Sequence, residues 1–345
     1  MIPFKRMNFS KEYDTIKPLF ESGNIGYGAV TKQFEQELAE YVGAKHVIAV
    51  NSCTTALMLS LMYERAKNGI TSVSIPSMTM ALVPNAVLTA GLDFTFNADT
   101  EWVGDRYELK GSHVIDSAHR LQRDDFKGLS DETKICYSFY PTKVIGSIDG
   151  GAIATNDDEF VEWVRSYIFY GRDQHVDSKN SWEFEIQMVG GKYNFNDVQA
   201  AMCLEQLRTL DDTHGKLEEI NRIYNQAFAY TNNSDYLYRI NVTNRDEFID
   251  YMKHVVTSRI QGIECGVHFK PIHVMEPFKD HQFDGTIEER VEGMTDVYTA
   301  YSQTVSLPFF KNMTLWEISD VIDATLKYSG VILPQNQSPT DEKSV

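Results

Sequence analysis

The chain has little cysteine, and its four cysteines, Cys53, Cys136, Cys203 and Cys265, lie far apart with no CxxC pair. This spacing is typical of reduced thiols in a cytosolic protein, and it argues against a disulfide framework or a zinc knuckle. We therefore expect neither a disulfide nor a metal site.

Long apolar runs are also missing. The N-terminal residues Met-Ile-Pro-Phe-Lys-Arg contain no apolar signal core, and the most apolar stretch, 73–92, is interrupted by Pro76, Pro84 and Asn85. We expect a cytoplasmic protein without a membrane segment.

Positive charge is scarce, because 32 Lys and Arg face 49 Asp and Glu, for a net charge of -17. Binding to nucleic acid or to an anionic membrane depends on a surplus of basic residues, so we expect neither partner. A GxxxxGK[ST] motif is absent as well, which argues against a P-loop nucleotidase. Any anionic ligand must be held by a local site.

What is present is a chain of 345 residues with 42% hydrophobic residues, which suffices for a large domain and a smaller one. Strand patterns alternate with helical patterns, which indicates a parallel α/β sheet whose ligands bind beyond the carboxyl ends of its strands. Thr31 is expected to cap a helix that ends at Gly43. The first half predicts strands at 46–50, 73–76, 92–96, 113–116, 134–139 and 152–155, and helices at 80–89 and 157–170.

The second half predicts a smaller α+β unit, joined to the first by a helical spine that begins at Asn196 and resumes after Gly215. We divide the chain into a large domain, 1–215, a small domain, 216–330, and a polar tail, 331–345, that we expect to be disordered. The small domain is predicted to contain strands at 236–242 and 265–269 and helices at 246–259, 287–301 and 314–328.

Three segments carry candidate chemistry. Residues 51–61 place small hydroxylated residues where a strand runs into a helix, so Thr54 and Thr55 mark either a phosphate site or a simple helix cap. Asp116 ends a strand, where a carboxylate either binds a ligand or caps the next helix. Lys143 lies in a turn between two strands and is either an ordinary loop lysine or a partly desolvated amine that can form a Schiff base.

Together these three parts are what a pyridoxal phosphate enzyme needs. A second candidate cluster, His268 and His273, contains Pro271 between its histidines. Because that proline breaks any helix that would align the two imidazoles, we expect a substrate-facing loop rather than a metal pair.

With its motifs in this order, the chain resembles the DegT/DnrJ/EryC1/StrS family of sugar aminotransferases, which are fold-type I pyridoxal phosphate enzymes. The similarity covers about residues 20–330. Six motifs carry it: FEQELAEYVGA at 34–44, NSCTTAL at 51–57, PSMTM at 76–80, DSAH at 116–119, SFYPTK at 138–143 with DGG at 149–151, and KYNFNDVQAA at 192–201 with QL at 206–207.

The resemblance implies a three-layer large domain with a mostly parallel sheet, and a smaller α+β C-terminal domain. It implies that Lys143 binds pyridoxal 5'-phosphate covalently, that Asp116 pairs with the cofactor's ring nitrogen, and that His119 contacts its phenolic oxygen. Since a lysine stands at position 143 where the family's dehydratases have histidine, transamination is favoured over dehydration.

The remaining implied contacts concern the cofactor's phosphate. Thr54, Ser138 and the backbone at Cys53 match the family's phosphate contacts. Lys192 matches a residue that reaches the cofactor of the neighbouring subunit, which implies an obligate homodimer. Asn194 and His268 are candidate substrate contacts.

The chain departs from the family pattern at several positions. Met80 replaces an aromatic residue that stacks on the cofactor, Cys53 replaces a glycine, and Asn194 replaces an arginine of many members. Only twenty-four residues separate Gly91 from Asp116, where the family has an extra helix and strand. We therefore expect the sheet to be one strand short.

The expected function is amination of a keto-sugar, linked to a nucleotide, with glutamate as amino donor. A keto-cyclitol aminotransferase is the alternative within the enzyme class. From a different class, a cofactor-binding regulatory protein with weakened catalysis is the alternative, because of the shortened region.

Overall fold

The computed structural model describes residues 1–173 and 184–334. In these ranges it has ten α-helices, which are Ser10–Ser22 (α1), Ala29–Val42 (α2), Cys53–Asn68 (α3), Leu82–Thr89 (α4), Asp158–Tyr167 (α5), Asp197–Leu207 (α6), Leu210–Phe228 (α7), Arg245–His254 (α8), Ile287–Gln303 (α9) and Leu315–Lys327 (α10). The same ranges hold ten strands, which are His46–Val50 (β1), Ser72–Pro76 (β2), Asp93–Asn97 (β3), Tyr107–Glu108 (β4), Val114–Asp116 (β5), Lys134–Ser138 (β6), Gly151–Thr155 (β7), Tyr238–Val242 (β8), Thr304–Leu307 (β9) and Val331–Ile332 (β10). No helix of the described chain combines the length and the apolar character needed to cross a bilayer.

The central sheet has the strand order β1-β7-β6-β5-β4. Strands β5 and β6 are parallel, whereas β7 is antiparallel to both of its neighbours, β1 and β6. Strands β1, β5 and β6 therefore point in the same direction, and their carboxyl ends lie at one edge of the sheet. The α/β class is confirmed, with a mixed sheet.

The shortened region after Gly91 forms the far side of this sheet. The two-residue strand β4 pairs antiparallel with β5, and Lys110, just beyond it, exchanges two backbone hydrogen bonds of 2.9 and 3.0 Å with Ser74 of β2. Strand β2 in turn pairs parallel with β3. A short antiparallel connection thus joins β5 to the β2–β3 pair, in the region where the family resemblance implied an extra helix and strand.

Alternate residues of the sheet face two different cores, because successive side chains of a strand point to opposite faces. On β1, Ile48 and Val50 pack with helix α3, whereas Val47 and Ala49 pack with helices α2 and α6. The sheet therefore lies between two helical layers, as the predicted three-layer architecture requires.

The second half forms an antiparallel sheet of order β10-β8-β9, packed against α7, α8 and α10. Ile2 belongs to the same core and exchanges backbone hydrogen bonds with residues 262 and 264. Helix α7 runs through Gly215, so the domain division at that residue stays a prediction. Residues 272–303 pack instead against β3, where the Phe96 N–H donates to the Gln282 carbonyl at 2.8 Å.

Two predictions for the second half are wrong. Residues 265–269 form no strand, since Gly266 alone bridges to Ser306 and the chain then turns to carry His268 and Phe269 toward the first half. The predicted polar tail begins too early, because Val331–Ile332 pairs with β8. The rest of the predicted tail, 335–345, lies outside the described residues.

The expected cap of helix α2 is also wrong, and its replacement ties two helices together. The N-cap is Gly28, which has no side chain to accept a hydrogen bond, and Thr31 lies inside the helix. The buried carboxylate of Asp197 caps the helix from α6 by accepting from the N–H groups of Gly28, Val30 and Thr31 at 2.9, 3.3 and 2.9 Å. It also accepts from the Thr31 hydroxyl at 2.7 Å. The NFND motif thus contributes a helix cap.

Replacing Asp197 with alanine should lower the free energy of unfolding by about 2 to 3 kcal/mol, because three helix N–H groups and a buried hydroxyl lose a charged acceptor. Urea unfolding followed by circular dichroism measures the change. Asp212→Ala, at an exposed first-turn position of α7, is the control and should shift stability by less than about 0.5 kcal/mol. Equal losses in both variants would contradict this account of the cap.

Candidate active site

Three of the predicted site segments meet at one edge of the central sheet. Strand β5 ends at Asp116, β6 ends at Ser138, and β1 ends just before helix α3 begins at Cys53. Because these three strands point the same way, their carboxyl ends share one edge, which is where open α/β sheets bind ligands.

The start of helix α3 offers unpaired backbone donors at this edge. The Ser52 hydroxyl caps the helix by accepting from the Thr55 N–H at 3.1 Å. In the part of the chain that the structure describes, the N–H groups of Cys53 and Thr54 have no acceptor. A Cβ at Gly151 would lie 2.5 Å from the Cys53 nitrogen, so only glycine lets β7 approach the helix this closely. Free N–H groups at a helix N-terminus can hold a phosphate.

Asp116 is a buried carboxylate with donors already in place. Its Oδ1 accepts from the Ala118 N–H at 3.0 Å, and its Oδ2 accepts from the Tyr107 hydroxyl at 3.0 Å. Burial raises the pKa of Asp116, whereas these two donors and the nearby Lys143 ammonium oppose that rise. The carboxylate keeps free lone pairs for a further, positively charged donor.

An aromatic wall stands beside this carboxylate and surrounds His119. The imidazole stacks on Trp102 at 5.3 Å and on Phe269 at 5.7 Å, and it contacts Tyr236 at 4.5 Å between ring centres. Its Nδ1 accepts from the Gly104 N–H at 3.2 Å, which leaves Nε2 to carry the proton. Burial, with a contribution from Lys143, lowers the pKa of His119 well below its usual range. His119 is therefore neutral.

Lys143 completes the group from the turn between β6 and β7. Its Nζ lies 4.3 Å from the centre of the Tyr236 ring, in a cation–π contact. Electrostatic interactions link it to Asp116, to His119 and to Cys53 at the start of α3. The structure thus brings the predicted lysine, carboxylate, histidine and helix N-terminus into one site.

His268 also lies near Lys143. Its Nδ1 lies 2.9 Å from the Ser306 hydroxyl, and burial, with help from Lys5 and Lys143, lowers the pKa of His268 to about 3.

Ser138 is adjacent to the helix start, since it pairs with Gly151 across the sheet. Its hydroxyl also accepts from the Tyr140 N–H at 3.4 Å.

Three predicted residues are not drawn into the group. The Met80 side chain is 47% exposed. The Lys192 ammonium is exposed and lies 4.4 Å from the centre of the Phe169 ring. The Asn194 amide donates to the carbonyl of the next residue, Phe195, at 2.9 Å.

Four site residues escaped the sequence analysis: Lys5, Trp102, Tyr107 and Tyr236. Trp102 and Tyr107 come from the shortened region, for which the family pattern offers no counterpart. Lys5 and Tyr236 reach the site by long-range folding of segments without a motif. The sequence did contain a signal for Tyr107. If a short hairpin ends at the carboxylate of Asp116, a residue of its first strand must lie opposite that carboxylate.

The described residues contain no group of three or more His, Cys, Asp or Glu side chains that could hold a metal ion. The buried indole N–H of Trp102 finds no hydrogen-bond partner among them. A buried unpaired donor is compatible with a polar ligand that binds next to it.

The geometry agrees with what comparison with known proteins shows. The family model described as the DegT/DnrJ/EryC1/StrS aminotransferase family matches residues 8–101 and 127–326. The chain belongs to this family. It is a pyridoxal phosphate-dependent aminotransferase of the sugar aminotransferase group. The matched ranges omit 102–126, so the unmatched stretch contains Trp102, Tyr107, Asp116 and His119, and for these residues the support comes from the structure.

Two relatives illustrate the family. The chain is 26% identical to the spore coat polysaccharide biosynthesis protein SpsC of Bacillus subtilis, over 91% of this chain and 93% of that protein. It is 23% identical to UDP-4-amino-4,6-dideoxy-N-acetyl-beta-L-altrosamine transaminase of Campylobacter jejuni, over 94% and 96% of the two chains.

Solved structures show the same fold. The putative sugar aminotransferase Spr1654 of Streptococcus pneumoniae, in its PMP form, superposes with a TM-score of 0.78 at 19% identity, over 94% of this chain and 98% of that one. Helicobacter pylori PseC, an aminotransferase of pseudoaminic acid biosynthesis, gives a TM-score of 0.72 at 19% identity, over 94% and 97%.

The residues present fit pyridoxal 5'-phosphate. An anionic phosphate suits the unpaired N–H groups at the start of α3, and a protonated ring nitrogen suits the buried carboxylate of Asp116. An aldehyde suits the Lys143 amine. The fit depends on Gly151, since any larger residue there would push the helix start away from the sheet.

Without cofactor, Asp116→Asn should gain stability relative to the natural protein as the pH rises. Because the folded-state pKa of Asp116 is raised, the stability that this group contributes is fully present below its ordinary pKa of 3.8. That contribution is lost as the pH rises through the raised pKa. The amide of the variant does not titrate. Denaturant unfolding of both cofactor-free proteins from acidic to neutral pH measures the difference. The exposed substitution Asp296→Asn is the control. A difference that shrinks with rising pH would refute this electrostatic account.

Proposed function

We propose that this protein transfers an amino group from glutamate to the keto group of a nucleotide-linked sugar, with pyridoxal 5'-phosphate bound at the edge formed by β5, β6 and α3. The observation that carries the proposal is the convergence of Lys143, buried Asp116 and the unpaired N–H groups at the start of α3. The sugar-transaminase name of the Campylobacter jejuni relative supports the substrate class.

Different residues would hold different parts of the cofactor. Lys143 would bind it covalently, Asp116 would accept a hydrogen bond from its ring nitrogen, and His119 would contact its phenolic oxygen. The backbone N–H groups at Cys53 and Thr54, together with the Ser138 and Thr54 hydroxyls, would hold its phosphate. When bound, the cofactor supplies an electron sink for negative charge at the substrate carbon.

The chain's own acid–base group is Lys143. With the cofactor and substrate bound, the Lys143 amine would be free to take up a proton from the substrate carbon and to deliver it where the amino-group transfer requires it. Tyr236 holds the Lys143 Nζ 4.3 Å from its ring centre, which restricts where the amine can move. Asp116 keeps its negative charge close by because Ala118 and Tyr107 donate to it.

We further propose a homodimer in which Lys192 of one subunit contacts the cofactor phosphate of the other. Lys192 is exposed in the single chain and lies apart from Lys143 and Asp116, as a residue that serves a neighbouring site must. Its surroundings contain exposed apolar side chains, with Ile186 51% and Val189 92% exposed. Such clustering is typical of a surface that another subunit covers.

A purified sample discriminates between the candidate functions. Loss of the yellow colour of the bound cofactor on adding glutamate, with release of 2-oxoglutarate, supports an aminotransferase. A cofactor that binds and does not respond to any amino acid supports the regulatory alternative. Screening keto-sugar nucleotides against a keto-cyclitol as acceptors then decides between the two enzymatic substrates.

Lys143→Ala should abolish turnover, with a rate loss of at least about a thousandfold, because both covalent binding and proton transfer depend on the same amine. The cofactor should still bind noncovalently through the phosphate site. Glutamate-dependent formation of 2-oxoglutarate is the measurement, and Lys127→Ala, on an exposed turn, is the control with wild-type activity. Aminotransferase activity retained in Lys143→Ala would overturn the assignment.

Lys192→Ala should weaken cofactor affinity about ten- to a hundredfold, since a charge-assisted contact to phosphate is worth about 1.5 to 3 kcal/mol. Activity should recover at saturating cofactor. Titration of the cofactor-free protein with pyridoxal 5'-phosphate measures the affinity.

Mixed dimers test whether the contact crosses between subunits. A dimer of one Lys192→Ala chain and one Lys143→Ala chain has one site with both lysines intact if Lys192 acts on the neighbouring site. Such dimers should then regain one active site with wild-type cofactor affinity. If the contact is made within one chain, the only active site still lacks Lys192 and keeps the weak affinity.

A further inference from the structure

Lys5 is a mostly buried lysine that the N-terminal segment carries into the site. The segment is anchored by Ile2, whose N–H donates to the Gly262 carbonyl at 3.0 Å. The Lys5 ammonium donates to the carbonyls of Tyr236 and Phe309, the second at 2.8 Å. An ammonium has three donors, so one remains for another acceptor.

Lys5 and Lys143 share a single aromatic ring. The Nζ atoms of Lys5 and Lys143 lie 4.4 and 4.3 Å from the centre of the Tyr236 ring, and both lysines line one pocket. Burial, and to a smaller extent the Lys143 charge, lowers the pKa of Lys5 to about 7. Two cations held this close repel each other unless an anion lies between or beside them.

The described residues supply no such anion to Lys5. Neighbouring cations are balanced, since Arg6 forms an ion pair with Glu317 at 2.5 Å and Arg239 lies near Glu101 and Asp99. Within 1–173 and 184–334, Lys5 forms no ion pair with any carboxylate. Buried charges in proteins are normally paired or neutralised. With a pKa of about 7, Lys5 is partly neutral at neutral pH, and an anionic ligand beside it would stabilise its charged form.

We propose that Lys5 binds the α-carboxylate of the amino donor, an inference that rests on the proposed function. The carbon that reacts near Lys143 carries the donor's α-carboxylate one bond away, whereas the phosphates of a sugar nucleotide lie at least a sugar ring farther off. Of the anionic groups of the two substrates, the donor's carboxylate is therefore the one that can come close to both lysines at once.

A second observation supports this role. Asn194 stands where many members of the resembled family have an arginine, and its amide is engaged with the Phe195 carbonyl. An uncharged amide cannot balance a carboxylate in a desolvated pocket. Lys5, which comes from the other end of the chain, supplies the missing positive charge.

The competing explanation is that Lys5 only fastens the N-terminal segment through its two carbonyl acceptors. Loss of a purely structural clamp would lower thermal stability and would weaken every ligand by a similar factor. Loss of a carboxylate receptor would weaken only those ligands that place a carboxylate next to Lys143. The test therefore compares the two substrates within one variant.

The experiment uses the cofactor-loaded protein and the variant Lys5→Met, which keeps most of the apolar stem and removes the charge. Stopped-flow absorbance gives the dependence of the glutamate half-reaction on glutamate concentration, and calorimetry gives the dissociation constant of glutarate, a dicarboxylate that cannot react. Both constants should rise about ten- to a hundredfold. The limiting rate at saturating glutamate and the KM for the keto-sugar should change less than about threefold.

The matched control is Lys11→Met, an exposed lysine of the same N-terminal segment that produces the same change in net charge. Its constants for glutamate and glutarate should equal those of the wild type. If Lys5→Met does not fold or does not hold the cofactor, Lys5→Gln, which retains a donor for the carbonyls, takes its place in the same measurements.

Two outcomes overturn the inference while leaving the proposed function intact. One is an unchanged constant for glutamate and glutarate in the Lys5 variants, and the other is an equal rise for the keto-sugar. Failure of the proposed function has a different signature, since the wild-type holoprotein itself would then show no reaction with glutamate.

Discussion

The buried carboxylate of Asp116 is the constraint on which the site depends. Burial alone favours the protonated form, which could not pair with a positively charged ring. The chain offsets this with three separate elements, which are the Ala118 N–H at the end of β5, the Tyr107 hydroxyl from β4 and the Lys143 ammonium from the turn after β6. The sheet edge thus brings these three elements together around one charge.

The region between Gly91 and Asp116 contributes directly to this arrangement. The short connection through β4 closes the sheet without the helix and strand that the family pattern would place there, and it brings Tyr107 against Asp116 and Trp102 against His119. The family model leaves out the same stretch, 102–126. The stretch that the family model leaves unmatched thus supplies an aromatic wall and a hydrogen-bond donor to the carboxylate, so it contributes to the site.

Prediction from sequence succeeded where local patterns decide the structure. The strands that end at Asp116 and Ser138, and the helix after Ser52, have clear periodicity and cap signals, and their common direction then brings the site together. It failed at Thr31, because the cap of α2 comes from Asp197 far along the chain. It failed at 265–269, where a strand was predicted but the chain turns toward the site. Lys5 carries no local signal at all.

The charge distribution links these findings to ligand choice. In a chain with a net charge of -17, the pocket holds two lysines over one ring, and the nearby His119 and His268 are neutral because burial lowers their pKa. Were His119 and His268 charged as well, the pocket would repel its own lysines and attract any anion without discrimination. Their neutrality confines the positive charge to Lys5 and Lys143. An anion can then be recognised by its position relative to the reacting amine, and this is the property that separates an amino acid from other acidic metabolites.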